Sequence, residues 1–227
     1  MISADAVDWL RLRDAIVAHY RAVPAGASAA PLLSQVAARA AACTTVDMAA
    51  ASGVRKPVAR HLTALAATCT DDAPLSAVLR CFLAIEPKAD WQQNSNYTAA
   101  SIGRSFLDGY GYVEILGPGR VIDCAHVRLG FLLLAPGLTY PEHAHPAEEV
   151  YHVVAGTAEW WQDDASGDGE PGWQPKPPGA MIHHRRHVRH AMRTSGEPLL
   201  ALYAWGGDIG PSAALSASKV SSQVRQR

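Results

Sequence analysis

The sequence predicts a mainly β protein: one antiparallel barrel or sandwich preceded by an N-terminal α-helical segment. Two observations carry this. Half-way along the chain the apolar residues change from steps of three and four to short β-branched and aromatic runs. Those runs are punctuated by glycine, proline and aspartate, as in antiparallel sheets.

The helical half comes first. Trp9, Leu12, Ile16 and Tyr20 recur on one helical face, with Ser3 placed to cap it. Leu32, Leu33 and Val36 open a second helix in the alanine-rich "PLLSQVAARAAAC", and "APLSAVLRCFLAIEP" gives another that stops at Pro87. Such helices form a small unit or an N-terminal cover for the rest of the chain. The strands come next: "YGYVEILG", "AHVRLGFLLLAPG", "EEVYHVVAGTAEWWQ", "AMIHH" and "LLALYAWGG". "DDASGDGEPGWQPKPPG" reads as a hairpin or inter-strand loop, and "SASKVSSQVRQR" as a loose polar tail. The expected units are 1–105 helical, 106–210 barrel and 211–227 tail.

Composition narrows the function. A formal net charge of −1 offers no broad basic face for nucleic acid or an anionic membrane, and 48% hydrophobic residues suffice for a core. "MISADAVDWLRLRDAIVAHY" mixes charges into its apolar positions, so neither a signal peptide nor a spanning segment is expected. Cys43, Cys69, Cys81 and Cys124 show no CxxC pairing and read as buried free thiols in a reducing cytoplasm. "TTVDMAAASGVRKPVARHLTAL" is similar to a helix-turn-helix, with Ala49 and Gly53 at the turn and a second helix from Pro57 displaying Arg55, Lys56 and Arg60. Two packed helices joined by a glycine turn explain the same residues, and this plainer reading is preferred. Nucleic acid is not an expected partner.

The chemistry concentrates in "YPEHAHPAEEVYHVVAG". His143 and His145 stand two apart, so on a strand they share a face. Glu149 and Tyr151 form a second such pair, and His152 points the other way. Imidazoles with a carboxylate suit iron, zinc, manganese or nickel, and the lack of nearby cysteine argues against a closed structural zinc site.

Gly137, five residues, His143-Ala-His145, three residues, Glu149, six residues and Gly156 together resemble the first cupin motif. "PPGAMIHHRRHVRHAMR" resembles the second, where Gly179 leads to a far histidine; the spacing usual in bacterial members gives His190, with His183, His184 and His187 as alternatives. The implied fold is a single cupin barrel. With "PLLALYAWGGD", these segments are similar to the cupin-type dimethylsulfoniopropionate (DMSP) lyases from about Tyr110 to Asp208. That resemblance implies one divalent metal held by His145, Glu149, Tyr151 and His190, with His143 as ligand or near neighbour. It implies Tyr140 as general base, and Trp205 lining the pocket.

Chemically, a base takes a proton beside the DMSP carboxylate, dimethyl sulfide leaves, and acrylate remains. Free tyrosine titrates near ~10, so a base needs a nearby cation. Tyr151 is either a ligand or the base itself. Trp205, with Tyr203 or Trp160, offers an aromatic face to the sulfonium. Tyr97, Tyr110 and Tyr112 could reach the same pocket. Expected, then, is a cytoplasmic carbon–sulfur lyase for a small zwitterionic sulfonium carboxylate, with no membrane partner and pairing into a homodimer through sheet edges. The rivals are another metal-dependent cupin, a dioxygenase or isomerase, and a helix-turn-helix/cupin regulator.

Overall fold

The two periods of the sequence become two layers of one molecule. The computed structural model describes residues 3–67, 75–163, 172–210 and 212–215. Cys69, the middle of the glycine-rich loop and the polar tail from 216 onward lie outside the described residues.

Helix α1 (Ala4–Arg21) starts where Ser3 accepts the Ala6 N–H, and it buries Trp9, Leu12, Ile16 and Tyr20. It packs against α2 (Ala30–Ala42) and α4 (Ser76–Ile85), which continues as a single 3₁₀ turn through Pro87. Between them lies α3 (Leu62–Ala67), and α5 (Ala99–Ile102) and α6 (Arg104–Gly109) lead into the barrel.

The segment expected to hold two helices does not. It forms a 3₁₀ turn at Met48–Ala50, an extended run, and a second 3₁₀ turn at Pro57–His61 before α3. Asp90 imposes this: its carboxylate accepts from Ser52 N–H at 3.0 Å, Ser52 Oγ at 2.7 Å and Val54 N–H at 3.1 Å. Arg55, one of the presumed phosphate contacts, pairs with Glu86 at 2.9 Å. The helix expected from Pro57 does form, as the second 3₁₀ turn running into α3, but no helix precedes it, so neither the helix-turn-helix nor the packed helix pair exists.

Among the described residues the β half has twelve strands: β1 (Trp91–Gln92), β2 (Tyr110–Gly117), β3 (Ile122–Asp123), β4 (Arg128–Leu134), β5 (Thr139–Ala144), β6 (Ala147–Ala155), β7 (Ala158–Gln162), β8 (Gln174–Lys176), β9 (Met181–His184), β10 (His190–Thr194), β11 (Leu199–Gly207) and β12 (Ala214–Leu215). They make two sheets, ordered β1-β2-β4-β11-β6-β9, with β3 beside β2, and β12-β5-β10-β7-β8. Among the described strand pairs only β2–β3 is parallel. β8 lies inside the stretch expected to be a hairpin or loop and pairs antiparallel with β7; with Pro175 at its centre it survives as an edge strand, where a missing N–H costs nothing.

The first sheet is buried on both faces, which is why "RLGFLLL" reads as a continuous apolar run. Phe131 and Leu133 face the helices in one core, while Leu132 and Leu134 face the barrel interior in a second. The N-terminal helices are therefore a cover that shares its core with the sheet. Among the described residues no helix is long and apolar enough to cross a membrane.

Candidate metal centre

The inward faces of β5, β6, β10 and β11 supply the chemistry. His143 sits on β5 opposite His190 of β10. Glu149 and Tyr151 lie on β6, with Trp205 and Tyr203 directly across on β11. His143, His145, Glu149 and His190 are all buried.

The three imidazoles share one arrangement. Nδ1 of His143 meets the Pro141 carbonyl at 2.8 Å, Nδ1 of His145 meets the Ala147 carbonyl at 2.9 Å, and Nδ1 of His190 meets the Val188 carbonyl at 2.9 Å. A carbonyl only accepts, so each neutral ring keeps its proton on Nδ1 and offers Nε2 as a lone pair. His145 Nε2 lies 3.0 Å and His190 Nε2 3.3 Å from Glu149 Oε2, yet the buried His190 Nε2 makes no hydrogen bond. One ligand atom from each of His145, Glu149 and His190 falls within 4.8 Å of the others. Orphaned lone pairs beside a carboxylate fit a divalent cation.

Electrostatics agree. Burial alone would raise the Glu149 carboxyl, but positive charge at the Nε2 side of His145, then His190, holds it well below the usual range; a proton there would play the part that a cation takes beside neutral rings. Burial, reinforced by His190, keeps His143 neutral. The tyrosines move the other way: burial, then Tyr110 and Tyr97, raises Tyr140, and burial, then Glu149, raises Tyr151. Without a cation both are firmly protonated phenols.

Tyr140 is three residues from His143, which on a regular strand would send it outward. Opposite His190 and Met192, however, β5 places His143 and Tyr140, so it carries one extra residue. This bulge turns Tyr140 inward, where its ring stacks on His143 at 4.2 Å. Its hydroxyl meets that of Tyr97 at 2.9 Å.

Trp205 lines the pocket, and its indole is committed to the centre: Nε1–H donates to Glu149 Oε1 at 2.6 Å, and the ring lies 4.2 Å from that of His145. Tyr203 also lines the pocket and donates to Glu114 at 3.3 Å. Tyr110 and Tyr112 reach the same cavity; Trp160 does not line it and packs against Tyr151 instead. Of the alternative histidines, His183 pairs with Glu148 at 2.7 Å, and His187 takes a left-handed turn, φ 62°, donating its N–H to the His145 carbonyl. His184 is fully buried and lies flat on His190, 3.9 Å away, with an unpartnered Nε2. His152 turns outward as expected, and is buried against His19 and Tyr20 of α1.

Three wall residues were not read from the sequence. Glu114 is buried and accepts from Arg120 at 2.8 Å and Arg128 at 2.7 Å; Arg128 lines the pocket with it. A glutamate in the middle of the apolar "YGYVEILG" was the available signal. Asn94, another lining residue, binds the Ala213 carbonyl at 2.9 Å.

Fold and site together define a cupin whose barrel gathers a buried His–Glu–His group able to hold a divalent cation. The family model for dimethylsulfoniopropionate lyase matches residues 32–201, and the chain belongs to that family. It is 30% identical over 208 residues to the DddL protein of Cereibacter sphaeroides, covering 89% of this chain and 84% of that one. It is 31% identical over 134 residues to dimethylsulfoniopropionate lyase DddQ of Ruegeria pomeroyi, covering 59% of this chain and 63% of that one. Among solved structures it is similar to a chain from the pair of DMSP lyases RdDddP and RnDddQII, with TM-score 0.74, 26% identity and coverage of 94% and 100%. It is also similar to DddQ from Ruegeria pomeroyi DSS-3, with TM-score 0.66, 25% identity and coverage of 90% and 96%.

Proposed function

We propose that the chain is a metal-dependent carbon–sulfur lyase that cleaves DMSP by β-elimination to dimethyl sulfide and acrylate. One observation carries the reading: the Nδ1–carbonyl contacts leave Nε2 of His145 and His190 free to face Glu149, while Tyr140 stacks on His143, whose ring lies 4.2 Å from that of His190. His145, Glu149 and His190 would hold the cation, with Tyr151 as a fourth ligand and His143 at its side. Iron, zinc, manganese and nickel all suit this donor set. When bound, such a cation draws charge from the substrate carboxylate, acidifies the neighbouring carbon and favours the phenolate of a nearby tyrosine.

The chain's own residues do the rest. Tyr140 takes the proton on its Oη as the C–S electron pair leaves with sulfur, and the released dimethyl sulfide is neutral. The Tyr97 hydroxyl, 2.9 Å away, can pass the proton onward. Tyr112 and Tyr203 present aromatic faces to the sulfonium. Trp205, expected to do the same, also fixes Glu149.

The test is dimethyl sulfide in the headspace over metal-loaded protein and DMSP, with a chelated control. Metal-dependent gas with matching acrylate is expected; no release with any of the four metals would overturn the substrate.

A further inference from the structure

We propose that Cys43 and Cys124 form a reversible disulfide that fastens the helical cover to the barrel, with a small-molecule disulfide as oxidant. Both are free thiols in this structure. Cys43 caps the end of α2, and Cys124 directly follows β3.

The backbone brings them together. Val46 bridges Ile122 in antiparallel fashion, and the Asp47 N–H donates to the Val121 carbonyl at 2.8 Å. Carried further, this approach brings the end of α2 to Cys124: a regular ladder would turn the Cys43 side chain away from Cys124, but Cys43 is the C-cap of α2 and meets Cys124 from the helix end. Paired strands lie about 4.7–4.9 Å apart, and disulfides span Cα separations of about 4.4–6.8 Å. Cys43 packs on the core that contains Cys124, and its thiol interacts with the Cys124 thiol. Arg13, itself buried, holds the Cys43 carbonyl with Nη1 at 2.5 Å. The Cys43 Sγ–H now meets the Arg39 carbonyl at 3.2 Å, so a side-chain rotation is the motion needed. Cys81, on α4, has Arg80, Arg11 and Asp8 as its charged neighbours and, among the described residues, no cysteine at its side.

The link would matter through α2. Leu32, near the start of this helix, sits where a side chain on Gly206 would collide with it, and Gly206 follows Trp205, the residue bonded to Glu149. Oxidation would anchor the other end of the same helix.

The exchange balances. A Cys43 thiolate attacks one sulfur of oxidised glutathione and expels a glutathione thiolate. Cys124 then attacks the mixed disulfide at the Cys43 sulfur and expels the second. Two thiols become one disulfide, and one small disulfide becomes two thiols. Burial, then Cys124, pushes the Cys43 thiol up to about 12, so exchange is slow at neutral pH and quickens as pH rises. In a reducing compartment such a bond is transient and tracks the redox state.

The experiment treats the full chain with oxidised or reduced glutathione, alkylates the remaining thiols, and maps the peptides. A Cys43–Cys124 cross-linked peptide is expected with Cys81 still alkylated. The midpoint of thermal unfolding should rise by several degrees on oxidation and return with dithiothreitol. Cys43→Ser and Cys124→Ser should each abolish that rise. If either variant fails to fold, the peptide map of the unmodified chain decides alone. Alkylated Cys43 and Cys124 after oxidation, a stable mixed disulfide, or a link to another cysteine would overturn the proposal.

Discussion

Tyr140 and His143 stack with ring centroids 4.2 Å apart and planes 13° from parallel, though they stand three residues apart on one strand. The bulge in β5 makes this geometry, and it separates what Tyr140 does with its ring from what it does with its hydroxyl. Tyr140→Phe keeps the ring on His143 and removes only the hydroxyl proposed as proton acceptor. Metal content should stay near the parent's, while dimethyl sulfide release falls by about 10²-fold or more, the usual loss of a general base. Activity within a few-fold of the parent would move the base to Tyr151.

The ligand set predicts the opposite pattern. Glu149→Ala removes the carboxylate that His145 and His190 both face, and His190→Ala removes an imidazole whose Nε2 has no other partner. After dialysis, metal analysis of each variant should show binding reduced to background, with activity lost in proportion. Full occupancy in both would place the cation elsewhere in the barrel.

Trp205 tests the support behind the ligands. Its indole N–H holds one Glu149 oxygen at 2.6 Å, leaving Oε2 to the imidazoles. Trp205→Phe keeps an aromatic ring beside His145 but removes that donor. Competition against a chelating dye should show metal affinity weakened by about 10–100-fold, the range for lost outer-shell partners. Unchanged affinity with a raised KM for DMSP would instead assign Trp205 to the sulfonium.

Much of this was legible, for identifiable reasons. β2 and β11 match the sequence runs residue for residue, because their apolar and aromatic residues are bounded by turn formers, Gly109 and Pro118 around β2 and Pro198 and Asp208 around β11. The Gly156 that closes the first motif has a plain cause: its φ is +76°, and any side chain there would strike the Pro198 carbonyl. Tyr140 is nominated by resemblance alone, since strict alternation points it outward and only pairing with β10 exposes the bulge. The false helix pair failed because Asp90, 38 residues from Ser52, holds that backbone extended, and such a long-range contact leaves no local trace. β8 was hidden by its prolines, and the shared core of helices and sheet by the charges mixed into α1, where even Arg13 is buried.

His152 shows what the buried cover implies for acid stability. Its ring lies between β6 and α1, 4.7 Å from His19 and 5.7 Å from Tyr20. Burial, then His19, lowers its pKa from 6.5 to about 3; His19 is itself lowered by burial, and burial raises the Tyr20 phenol. Above pH 6.5 the ring is neutral in both folded and unfolded chains and its contribution is flat. As pH falls below that value the unfolded chain takes up a proton that the folded chain refuses until about 3, so stability is lost across that window. Thermal unfolding of metal-free protein should therefore show a midpoint that drops steadily from about pH 7 to pH 4.5. His152→Phe, which keeps a ring against Tyr20, should drop less over the same range. Parallel slopes for parent and variant would assign the acid sensitivity to other groups, with the buried imidazoles of the centre itself the next to test.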